Sequence, residues 1–135
     1  MAATYQPTHI EGYPAGPIQL LFKKDLTNSD VKSGLKFVGK SKSYLEGLGD
    51  DMIRMLENGL LINLHTPALL AIVELKRRFS YGNYVEYKLN LPGWKECVQS
   101  NGFFCGQSVC CWAIYTEQTG LCFLLEEAPR LTYQM

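Results

Sequence analysis

The chain lacks most of the features that announce a chemistry. It carries no P-loop, no dinucleotide-binding glycine run, no HExxH and no GxSxG. It lacks an excess of either charge: 13 basic and 13 acidic residues cancel, so the surplus typical of a general nucleic-acid binder is missing. The first twelve residues contain no charged n-region and no apolar h-region, so no secretory signal is expected. The most apolar stretch, residues 60–75, is interrupted by Asn63, His65, Thr66 and Pro67 and is too short to span a bilayer. With no such signals, reduced cysteines and a cytoplasmic or nuclear location are the expectation.

What the chain does contain is enough apolar residue to bury a core. Hydrophobic residues make up 47% of its 135 positions, close to the commonest size of one domain. Residues 1–17 hold Pro7, Pro14 and Pro17 with two glycines and read as an irregular arm, leaving residues 18–135 as a single domain.

Within that domain, residues 18–26 read as a strand, 27–33 as a polar loop and 35–38 as a short second strand. Residues 43–58 suggest a helix opened by a Ser43–Glu46 capping box, with Leu45, Leu48, Met52, Met55 and Leu56 on one face. Residues 66–79 suggest a second helix, capped by Thr66 with Pro67 at its first position. Lys76, Arg77 and Arg78 would then close it, where positive charge suits the helix dipole.

Residues 84–91 alternate cleanly, with Val85, Tyr87, Leu89 and Leu91 facing one way and Tyr84, Glu86, Lys88 and Asn90 the other. Residues 108–116 and 121–126 read as a hairpin that is apolar on both faces. The expected class is therefore α+β, a mainly antiparallel sheet with two helices packed on it and a C-terminal β-hairpin.

The candidate sites are few. Cys97, Cys105, Cys110, Cys111 and Cys122 are unusually concentrated. Only Cys105 and Cys110 approach the spacing of a zinc pair, and adjacent Cys110 and Cys111 would diverge across a strand, so neither metal nor cofactor is expected. The run Asn101-Gly102-Phe103-Phe104-Cys105-Gly106-Gln107-Ser108-Val109-Cys110-Cys111-Trp112-Ala113 superficially resembles the papain-family C-G-S-C-W segment. That resemblance implies a cysteine-dependent hydrolase using Cys111 or Cys110. The family's histidine follows its cysteine and none follows here, so upstream His65 is the candidate base, since such pairs are defined by geometry and not by chain order. The alternative is that these thiols are small buried hydrophobes.

Binding candidates are Tyr5 and Tyr13 on the arm and the cationic run Lys76, Arg77 and Arg78, which with Lys36, Lys40 and Lys42 could form a basic surface. Taken together these features suggest a non-enzymatic protein-interaction or self-assembly module whose partner is a protein or a second copy. The order of elements over residues 18–128 also resembles the matrix proteins of rhabdovirus-type viruses, which would imply a viral structural or accessory role.

Overall fold

The computed structural model describes residues 18–80, 82, 84–116 and 120–128. Its elements follow the order β1 (Ile18–Asp25), α1 (Asn28–Ser33), β2 (Leu35–Lys36), α2 (Ser41–Glu46), α3 (Asp50–Asn58), β3 (Leu60–His65), β4 (Leu70–Ser80), β5 (Tyr84–Pro92), α4 (Trp94–Asn101), β6 (Ser108–Thr116) and β7 (Gly120–Glu127). The seven strands form one sheet in the order β1-β6-β7-β3-β4-β5-β2. Every pairing is antiparallel except that of β3 with β7.

The sheet curls until its two edges approach. Lys24 Nζ on β1 donates to the Lys36 carbonyl on β2 at 2.9 Å, and the Phe22 ring lies 5.1 Å from that of Phe37. Side chains of alternating strand residues fill the interior, among them Leu64, Val73, Leu89, Cys111 and Phe123. Helices α1 and α4 pack at one end, joined by a 2.9 Å hydrogen bond from Trp94 Nε1 to the Asp30 carbonyl. Helices α2 and α3 pack at the other.

The α+β class, the mainly antiparallel sheet and the hairpin of β6 and β7 agree with the sequence. The expected pair of helices does not. Four short helices occur among the described residues, and residues 66–79 form a turn followed by strand β4. Ala71, Val73 and Leu75 point inward and Ile72, Glu74 and Lys76 outward, a period of two. Leu70 and Ile72 are exposed although apolar, and they disguised that alternation as a broad helical face. Thr66 caps a turn instead: its Oγ1 accepts the Leu69 N–H at 3.2 Å.

The helix expected over 43–58 is split. Residue 49 has φ +112°, a backbone state open to glycine, and α2 ends before it while α3 begins after it. The supposed polar loop at 27–33 is α1, opened by a capping box in which the Asp30 N–H donates to Thr27 Oγ1 at 3.0 Å and the Thr27 N–H to Asp30 Oδ2 at 2.8 Å. The glycine after it, Gly34, lets β2 lie against β5; a Cβ there would sit 2.7 Å from the Leu89 carbonyl oxygen.

Candidate functional site

Strands β2, β5 and β4 are neighbours, and their registers align three lysines. Lys36 pairs with Lys88, and Lys88 pairs with Lys76. The residues next to them, Leu35, Leu89 and Leu75, are fully buried, so the lysines project from the opposite, outer face. One row further along β4 and β5, Arg78 stands opposite Glu86.

Like charges directly across a ladder destabilise a sheet. A row of three lysines is therefore unfavourable by itself, and nearby negative charge offsets it. Partial relief comes from Glu86, whose carboxylate lies 3.7 Å from Lys36 Nζ, and from the Tyr84 ring, 5.4 Å from the same ammonium. Exposed Lys40 and Lys42 follow β2 in the chain.

The edge strand that presents Lys36 is only two residues long and is held by a buried ion pair. Asp30, 2% exposed, receives the Lys24 ammonium at 2.9 Å and the Lys36 N–H at 3.1 Å. Burial alone would raise the Asp30 carboxyl. The hydrogen bonds from Lys24, Thr27 and Lys36, together with the Lys24 charge, hold it below the ordinary carboxylate value.

The basic run separates by strand parity. Lys76 and Arg78 are exposed on the outer face, whereas Arg77 turns toward the end of the barrel. Its guanidinium donates to Glu57 at 2.7 Å and to the Tyr87 hydroxyl at 3.1 Å, and lies 3.7 Å from Glu46. Arg77 thus clamps α2 and α3 onto the sheet. Tyr5 and Tyr13 lie outside the described residues.

The cysteine candidates do not assemble into a nucleophile and base. Cys111 points into the core and is fully buried, and burial drives its thiol far upward. Cys110 faces outward, also buried, and its thiol is raised by burial and by Glu126 against the opposing pull of Lys23. His65 is buried, and burial lowers its pKa. Strand β7 lies between β3, which carries His65, and β6, which carries both cysteines. Two interstrand spacings, roughly 9.6 Å, separate base from thiol, too far for proton transfer.

Two of the remaining three thiols are buried as well. Cys97 is buried and pushed up to about 11, mainly by desolvation, and Cys122 is buried and raised as well. Cys105 alone among the five is exposed.

Sequence reasoning places Lys88 on the wet face of its strand but does not join it to the basic group, because residues 66–79 read as a helix. The signal was present as the alternation of Ala71, Val73 and Leu75 with their neighbours. Among the described residues, no helix is long and apolar enough to cross a membrane.

No family model matches this chain, and no curated protein matches it. A solved structure does: the Arabidopsis FUS3–DNA complex, with a TM-score of 0.56 and 17% identity, covering 82% of this chain and 98% of that one. A fold seen in a DNA complex overturns the expected interaction or self-assembly module, the viral matrix-like reading and the hydrolase using Cys110 or Cys111 with His65. The expectations of a protein or self partner, and of no nucleic-acid signal, fall with them. What the comparison establishes is the fold: this curled seven-stranded sheet is similar to that of the FUS3 chain along nearly the whole length of the latter.

Proposed function

We propose that this chain is a DNA-binding domain of the B3-like kind, which meets duplex DNA with the outer face of β2, β5 and β4. The observation that carries the reading is the row Lys36–Lys88–Lys76, which is unfavourable for the fold alone and is made favourable by phosphate. The fold likeness to a chain solved with DNA supports the same reading.

Net neutrality does not oppose it, because charge here is segregated. Carboxylates gather on α3, which carries Asp50, Asp51 and Glu57; Asp51 pairs with Arg54, and Glu57 together with Glu46 of α2 surrounds Arg77. Cations dominate the outer sheet face, so the local field attracts a polyanion although the whole chain is neutral. A nuclear location follows from this reading.

The test is fluorescence anisotropy of a labelled random-sequence duplex, titrated with protein at several salt concentrations. Binding should weaken linearly on a log–log plot. Each of Lys36→Ala, Lys76→Ala and Lys88→Ala should reduce the slope by about 1. Absence of binding at low salt, or slopes unchanged in all three variants, contradicts the proposal.

A further inference from the structure

The outer face of β5 is not uniformly cationic. Its residues run Tyr84, Glu86, Lys88 and Asn90, with the carboxylate in the middle of the basic strip. Glu86 lies opposite Arg78 on β4, and its carboxylate is 3.7 Å from Lys36 Nζ. Its side chain keeps 15% of its exposure and lines a recess of about 120 Å³ together with Ser41, Lys42 and Tyr84.

A carboxylate in this position repels phosphate, so it is a liability on a surface that binds only the DNA backbone. It becomes useful where base edges are presented. In the major groove a carboxylate accepts from the N4 amine of cytosine, whereas thymine offers a carbonyl oxygen at the equivalent position and would be repelled. A lysine donates to guanine and an asparagine pairs with adenine, so Lys88 and Asn90 are also groups that read base edges. Alternate residues of an antiparallel strand are roughly 6.8 Å apart, close to two steps of a duplex that rises about 3.4 Å per base pair.

We infer that Glu86 is a specificity residue whose carboxylate, oriented by Lys36, selects cytosine in the major groove. This rests on the DNA-binding reading. The flanking ammonium groups of Lys36 and Lys88 offset the repulsion between Glu86 and nearby phosphates, which keeps the acceptor compatible with a polyanion.

The test is selection of bound duplexes from a randomised library by the wild-type chain, Glu86→Gln and Glu86→Asp, each checked for native circular dichroism. The wild type should favour cytosine over thymine at one position by roughly tenfold. Glu86→Gln should lose that preference at that position alone, since an amide accepts and donates, and should bind scrambled duplex more tightly. Glu86→Asp keeps the charge but withdraws it by one methylene, so it should lose the preference without the gain in scrambled binding. Retention of the cytosine preference in both variants, or a wild-type selection with no such position, overturns the inference while leaving DNA binding intact. A wild-type chain that retains no duplex at all overturns the underlying reading as well.

Discussion

The two halves of the sheet are built from the same kind of strand and face opposite conditions. Strands β6 and β7 are buried on both sides. Cys111, Ala113, Phe123 and Leu125 enter the main core, while Cys110, Trp112 and Leu124 form a second cluster on the outer side with Ala128 and Ile18. Strands β4 and β5 bury one face only and carry Lys76, Arg78, Lys88 and Glu86 on the other. Strands covered on both faces stabilise a scaffold, and a strand with a wet face is free to meet a ligand. The DNA contact proposed above lies on this second half, where like charges stand opposite one another across the ladder.

The sharpest way to break this contrast is to reverse the charges of the wet half. Lys36→Glu, Lys76→Glu and Lys88→Glu together should weaken duplex binding by about a thousandfold at moderate salt. The melting temperature should fall only modestly, because one like-charge row replaces another and the part-exposed Lys36–Glu86 pair that is lost contributes about 1 kcal/mol or less. A large fall in melting temperature with DNA binding preserved would mean that the row is structural.

A smaller effect is expected at the clasp that holds β2. Asp30→Asn leaves Lys24 without its buried charge partner and should cost about 3 kcal/mol in urea unfolding. The effect should depend on pH. The folded-state pKa of Asp30 is depressed, so its contribution is present above the unfolded value of about 3.9 and is lost as pH falls through the folded value. Below about pH 4 the wild-type stability should therefore decline toward that of the variant, whose own curve is flatter there.

Cys111→Ser probes the half buried on both sides. A hydroxyl replacing a fully buried thiol should cost about 1–3 kcal/mol, with duplex affinity of the folded protein unchanged. The smallest expected effect is at Cys105. Under native conditions it alone should react rapidly with iodoacetamide, and its labelling should leave melting temperature unaltered. Fast labelling of Cys110 or Cys111 would show that the β6–β7 half is not closed.

Residues 84–91 were legible because they carry a period of two openly, and the terminal hairpin because two apolar runs, 108–116 and 121–126, flank a short polar segment with a glycine. Strand β4 was misread because Leu70 and Ile72 are apolar yet exposed, so a period of two looked like one of 3.6. That single misreading also hid the site. Lys76, Arg77 and Arg78 look like one basic helix end, but on a strand they divide into two outward cations and one inward clamp. Lys36 and Lys88 join Lys76 only through registers spanning some fifty residues of chain, from 36 to 88, which local pattern does not encode. The Asp30 clasp was written in the Thr27-x-x-Asp30 pattern, but a six-residue polar helix has no apolar period to mark it.

The most direct test of the account is an amide NMR titration of the full chain with a short duplex at low salt. The account predicts shifts concentrated at Lys36, Lys76, Arg78, Glu86 and Lys88, with α3 and the buried strands β6 and β7 unperturbed. Shifts confined to α2 and α3, or none at all at saturating duplex, would contradict it.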